Sequence, residues 1–247
     1  MSEPAYYDPQ WWKKKKASSL ARKSEIPRAM LGALPGDSFL IVTEGTVTEP
    51  TYLKLLVNDI GLQTVRIRII PGDSSDPRRV IRTARDEARD QQIKAKKRLL
   101  RLNEPEHFDH LWAVIDTDVA MRMGFWNEVV QLARVNKVKL AQSTPCFEYW
   151  LLLHVTGFSM PSDLWDGSRA KSTLKDALGR DYSTNEEIAR FIFASLVRNW
   201  PSAVVHAEKA RSYHHESGSP WPGNPSTDVC DLARALNDTA PRHRKKL

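Results

Sequence analysis

The stretch "FLIVTEGTVTEPTYLKLLVNDI", residues 39–60, decides how the chain folds. Its first five residues are almost wholly apolar and rich in branched side chains, which predicts a short buried strand. Thr48 then offers a cap and Pro50 suits a first helical turn. Tyr52, Leu53, Leu56 and Ile60 recur on one side, which predicts a helix over 48–60. The same alternation continues downstream. "VRIRII" (65–70) reads as a second strand and is broken by "PGDSSDP". A long helix is expected from Arg78 to Arg101, a third strand in "HLWAVID" (110–116), a helix near 125–135, and a fourth strand in "VKLAQ" (138–142). A nearly all-apolar helix follows in "PCFEYWLLLH" (145–154). Strand and helix in alternation predict an α/β fold with a parallel sheet covered by helices on both faces.

After Val155 the pattern weakens. Residues 171–178, 184–199, 202–215 and 224–238 read as helices, so a helical C-terminal extension follows the sheet. Three parts are expected: a basic flexible tail over 1–36, an α/β domain over 37–156, and a helical region over 157–247 packed on it. The tail carries "WWKKKK" (11–16) and seven Lys or Arg against three acids. It reads either as a solvated, disordered leader or as a nucleic-acid arm in which Trp11 and Trp12 stack on bases beside Lys13 to Lys16.

Composition narrows the function classes. A formal net charge of +7 over 247 residues suits a polyanionic partner. Two cysteines, Cys146 and Cys230, stand far apart with no paired spacing, so neither a disulfide framework nor a zinc motif follows, and a reducing cytoplasm is expected. No apolar run approaches the roughly 18 residues of a membrane span, and the N-terminus has no apolar segment of the signal-peptide kind. There is no phosphate-loop motif of the type G-x-x-x-x-G-K-[ST] and no G-x-S-x-G elbow.

Acids collect where the predicted strands end. Glu44 follows the first strand, Asp116 and Asp118 close the third, and Glu148 follows the fourth; Glu49 lies in the first turn of the first helix. Ligand sites of open parallel sheets lie beyond the carboxyl ends of the strands. Carboxylates crowded there cannot all ionise unless a cation relieves them, and hard oxygen donors suit magnesium or manganese. If the third strand continued, Asp116 and Asp118 would share one face and one ion or ion pair. The same acids also serve as helix caps in many proteins. Glu148, among apolar neighbours, either pairs with an arginine or caps its helix, or it faces the metal cleft. His154 reads as a satisfied core histidine, and His206, His214 and His215 have no acids at ligand spacing. Cys146, among apolar neighbours, reads as plainly buried.

The 78–101 helix carries ten basic residues against three acids. Arg78, Arg79, Arg82, Arg85, Arg89, Lys96 and Lys97 are the candidate contacts for a nucleic-acid backbone. A solvated helix face has the same composition.

Four segments together, "LIVTEGTVTEPTYL", "FDHLWAVIDTDV", "STPCFEYWLLLH" and "NPSTDVCDLARAL", resemble the RloB-like family, whose members read "EGxxTE", "DxD" and "NPCFExWLLxH" in this order. Thr144 stands where Asn is common, a change that touches the expected helix cap. That family is similar to Toprim proteins. The resemblance therefore implies a Toprim-like sheet, Glu44 as the Toprim glutamate, Asp116 and Asp118 as its D-x-D, and magnesium as cofactor. It also implies a place in restriction-modification or phage-defence loci, beside a partner ATPase. The expected activity is metal-dependent hydrolysis of phosphodiester bonds in DNA or RNA, with Glu44, Asp116 and Asp118 catalytic and Glu49 and Glu148 as further ligands. Topoisomerase chemistry needs a nucleophilic tyrosine, and Tyr52, Tyr149 and Tyr213 have no supporting signature. The alternative is a nucleic-acid-binding or adaptor subunit of a defence complex without cleavage of its own.

Overall fold

The computed structural model describes residues 37–62, 66–72, 74–101, 104–159, 163–182, 185–240 and 244–247. The basic tail, with Trp11 to Lys16, lies outside the described residues. The described part begins with β1 (Phe39–Thr43), α1 (Thr48–Ile60), β2 (Ile67–Ile70), α2 (Pro77–Lys96) and β3 (His110–Asp116). It continues with α3 (Asp118–Arg122), α4 (Trp126–Val135), β4 (Lys139–Thr144) and α5 (Glu148–Leu152). Then follow α6 (Gly167–Leu178), α7 (Glu186–Leu196), a 3-10 turn (Val197–Asn199), α8 (Trp200–Glu216), β5 (Ser226–Thr227) and α9 (Val229–Thr239).

The strands form one sheet in the order β2-β1-β3-β4-β5. The first four pair in parallel, with Thr43 beside Val114 and Asp116 beside Ser143. β5 is antiparallel to β4, with Ser143 opposite Thr227 and Thr144 opposite Ser226.

β1 has no solvent face. All five of its residues are buried, and they alternate between two cores, as side chains on a pleat must. Phe39 and Ile41 join Trp112 and Val114 under α1, α5 and the C-terminal helices. Leu40 and Val42 join Ala113 and Ile115 on the opposite face, under α2 and α4. The helices after residue 156 contribute Leu174, Phe193, Trp200, Val204 and Leu232 to the first of these cores.

Several boundaries differ from the sequence expectation. α2 stops at Lys96, not at Arg101, because Arg98 takes a left-handed φ of 56° and Leu99 N–H turns back to Lys94 O at 2.9 Å. The helix expected from 145 begins only at Glu148. Thr144 is not a helix cap: it ends β4, where its hydroxyl oxygen accepts from Thr117 at 2.8 Å. The helix expected from 224 begins at Val229, since Ser226 and Thr227 are taken by the sheet. Their hydroxyls are engaged as well: Thr227 and Ser143 hydroxyls bond at 2.9 Å.

Candidate active site at the strand ends

Glu44 stands one residue beyond β1. Its N–H donates to Val114 O at 2.9 Å, extending the ladder, and Thr43 Oγ1 donates to Gly45 O at 2.8 Å as the chain turns. The Glu44 side chain then crosses to the neighbouring strand, where its Oε2 accepts from Asp116 N–H at 3.1 Å. Asp116 is the last residue of β3, and its Oδ1 accepts from Phe147 N–H at 2.9 Å. Adjacent parallel strands therefore place these two acids side by side, with the loop after β4 closing over the second.

Three more carboxylates border them. Glu49, in the first turn of α1, is 7% exposed and accepts from Gly45 N–H at 2.9 Å. Glu148, the first residue of α5, is also 7% exposed, and its Oε1 accepts from the Tyr182 hydroxyl at 2.6 Å. Among the described residues it neither pairs with an arginine nor caps its helix. Asp118 does not continue the strand. The chain turns at Thr117, so Asp118 opens α3 and its Oδ1 accepts from Val119 N–H at 2.6 Å. The shared strand face expected for Asp116 and Asp118 is thus replaced by a strand end and a helix start.

The electrostatics tie the five together. Glu44 is pushed up to about 8, first by burial, then by the charges of Glu49, Asp118 and Asp76, against the lowering effect of the Asp116 N–H. Asp116 keeps some solvent-accessible surface, yet enclosure by protein is the largest cause of its strongly raised pKa; Glu44, Glu49, Glu148 and Asp118 add to it. Glu49 is raised by burial and by Glu148, and Lys171 of α6 opposes the rise. None of the five acids forms an ion pair among the described residues.

This donor set fits a hard divalent cation. Glu44, Asp116 and Asp118 each commit one oxygen to a main-chain N–H, while the other accepts no hydrogen bond from the described residues. Mutual repulsion without compensating cations is the condition that ion binding relieves. Among the described residues, no three His, Cys, Asp or Glu side chains are already gathered closely enough to hold an ion between them.

The model of the RloB-like protein family matches residues 39–236. The chain belongs to the RloB-like family. The match begins at β1 and ends inside α9, so it takes in the whole sheet and all five acids. No curated protein and no solved structure matches the chain. No helix among the described residues is long and apolar enough to cross a membrane.

The basic helix of this RloB-like chain is oriented by the topology. α2 begins beyond β2, at the same sheet edge as Glu44, and runs away over about 30 Å at 1.5 Å per residue. Arg79 and Arg82 lie in the first two turns of α2, toward that edge, whereas Lys96 and Lys97 lie at its far end. Arg78 is occupied: it holds Asp76 at 3.0 Å and Glu128 at 3.2 Å and lies 4.2 Å over the Phe125 ring. Arg85 is held by Asp86 at 2.9 Å. Arg89 is exposed.

Of the tyrosines, Tyr52 and Tyr149 are buried in the core, and burial raises both phenols. Cys146 is buried too, its thiol raised by burial and by Glu148 and Asp116. Sequence reasoning missed Tyr182 and Lys171. Neither sits in a motif, and each is brought to the acids only by the helical region folding back over the sheet edge.

Proposed function

We propose that the chain hydrolyses phosphodiester bonds of DNA or RNA with magnesium or manganese. The juxtaposition of Glu44 and Asp116 carries this reading: two acids from neighbouring parallel strands, both with raised pKa values, are joined by one hydrogen bond at 3.1 Å. Glu44, Asp116 and Asp118 would hold the ion or ions, with Glu49 and Glu148 completing the set. A bound divalent cation supplies Lewis acidity toward phosphoryl oxygen and acidifies water. The Toprim resemblance supports the same assignment.

The chain's own residues divide the remaining work. Glu44, ionised once a cation relieves its crowded neighbours, would take a proton from the attacking water. Phe147 N–H fixes Asp116, and Tyr182 fixes Glu148. Arg79 and Arg82, at the near end of α2, hold the flanking backbone. On the family resemblance, we place this activity in the cytoplasm, in anti-phage defence beside a partner ATPase.

The test is cleavage of labelled single-stranded and duplex DNA and RNA by the purified chain with magnesium, manganese or a chelator. Metal-dependent cleavage that Asp116→Asn abolishes, with the fold retained by circular dichroism, is the expected result. One observation favours a second reading. Every one of the five acids is engaged by a protein hydrogen bond, as structural acids are. A nucleic-acid-binding adaptor without cleavage of its own would bind in the same assay and cut nothing with any metal.

A further inference from the structure

A cleft of about 980 Å³ opens directly from the acid cluster, with Asp118 on its lining. One wall is the start of α6 with the loop before it, including Leu164, Trp165 and Lys171. Arg122 of α3 stands on the lining as well, and prolines of the loop before β5 form the far side. We propose that this cleft seats an unpaired nucleotide next to the phosphate to be cut, so that the substrate is single-stranded nucleic acid or a base swung out of a duplex.

Three features point to that occupant. The lining combines an indole, an aliphatic side chain and prolines, and a volume in the upper range of small-ligand sites leaves room for a base and its sugar. Leu164 is 79% exposed in the structure, so an apolar side chain faces water at the rim. Among the parts of a nucleic acid, an unstacked base offers an apolar face to match it, whereas paired bases hide theirs in the helix stack. Arg122 and Lys171 are exposed and make no ion pair among the described residues. Two exposed cations outside any ion pair, beside an apolar wall, are what a nucleotide's phosphate and base require together.

Trp165 is held for this task. Its main-chain N–H donates to Asn224 Oδ1 at 3.0 Å, and its main-chain carbonyl accepts from Asn224 Nδ2 at 2.8 Å. Arg169 covers the ring at 4.9 Å, and Tyr149 meets its edge at 5.8 Å. A half-buried indole on an anchored main chain, packed by Arg169 and Tyr149, loses little freedom when a base stacks on it.

The inference rests on the proposed hydrolysis only for where the scissile phosphate sits, so the experiment reads binding with a chelator present. Fluorescence anisotropy is measured with labelled oligo-dT, oligo-U, a blunt DNA duplex, and an abasic sugar-phosphate strand of the same length. The intact chain should bind oligo-dT or oligo-U about tenfold tighter than the abasic strand and the duplex. Trp165→Ala should remove most of that preference and leave the abasic strand unaffected. Leu164→Glu, at an exposed position where folding is not at stake, should weaken the single strands by a similar factor. Equal affinity for base-bearing and abasic strands, or a Trp165→Ala or Leu164→Glu loss that is the same on both, overturns the proposal. Absence of cleavage in the separate assay would count against hydrolysis and leave this result standing.

Discussion

The Tyr52 hydroxyl and His154 Nε2 lie 2.9 Å apart in the core, joining α1 to the turn that follows α5. His154 Nδ1 faces Trp150 O at 2.9 Å. Because a carbonyl can only accept, Nδ1 carries the proton and Nε2 accepts from Tyr52. The histidine is satisfied, neutral and held with its pKa pushed down to about 4 by burial. Tyr52→Phe removes the one donor to Nε2 among the described residues and should cost about 1–3 kcal/mol, the usual cost of a stranded buried acceptor. Urea unfolding at pH 7 measures it; an unchanged midpoint would refute the assignment.

The same histidine sets a pH dependence. Its unfolded pKa is near 6.5 and its folded pKa near 4, so between these values the unfolded chain binds more protons. Its stabilising contribution is complete above pH 6.5 and declines as pH falls toward 4. Subtracting the His154→Leu stability curve from that of the intact chain should leave a difference that shrinks across this window. A flat difference would contradict it.

Glu44 acts in the opposite sense. Its folded pKa of about 8 stands above the unfolded value near 4.5, so the folded chain holds the extra proton. Stability from this group is complete below pH 4.5 and is lost as pH rises through 8. In chelator, Glu44→Gln should melt at a higher temperature than the intact chain at pH 8.5. Magnesium or manganese should narrow the gap by stabilising the intact chain alone. The variant should also lose cleavage, so one substitution trades activity for stability.

Gly72 and Gly45 should differ under the same substitution. A Cβ at Gly72 would overlap the main-chain oxygens of Thr43 and Glu44, which cannot move without disturbing β1. A Cβ at Gly45 would overlap the Glu49 carboxylate, the end of a flexible side chain. Gly72→Ala should destabilise by about 1–3 kcal/mol. Gly45→Ala should fold nearly normally but lose the Gly45–Glu49 hydrogen bond and much of the activity. Thermal melts and cleavage rates separate the two outcomes.

Charge along α2 should matter by position. Arg82→Ala, near the acids, should weaken nucleic-acid binding and reduce the steepness of its salt dependence by about one counterion. The double change Lys96→Ala and Lys97→Ala, about 20 Å further along the helix, should have a smaller effect on cleavage. Equal effects would show that the whole helix, rather than its near end, carries the strand.

β1 and β3 were legible because their central residues are buried on both sides, so they read as unbroken apolar runs, whereas the half-buried β2 read from its alternation. β3 runs from His110 to Asp116, the segment the apolar run marks. β5 was not legible: two residues, Ser226 and Thr227, have no hydrophobic period, and only the pairing with β4 makes them a strand. The acids were legible as a set because they cluster at strand ends. Their arrangement was not, since the spacing of Asp116 and Asp118 does not reveal that the backbone turns at Thr117. Tyr182 lies 34 residues from its partner Glu148, a distance no local pattern spans.

The antiparallel β5 has a bearing on biosynthesis. A ribosome releases the chain from its N-terminus, so the four parallel strands emerge while the outer border of β4 is still bare. The partner of that border is Ser226–Thr227, and 84 positions of chain separate Thr227 from Ser143 opposite it. The nascent protein thus completes its sheet, and the proline-lined side of the nucleotide cleft, only after the helices between β4 and β5 have been made. A chain cut short before residue 226 would carry all five acids with an unguarded sheet edge.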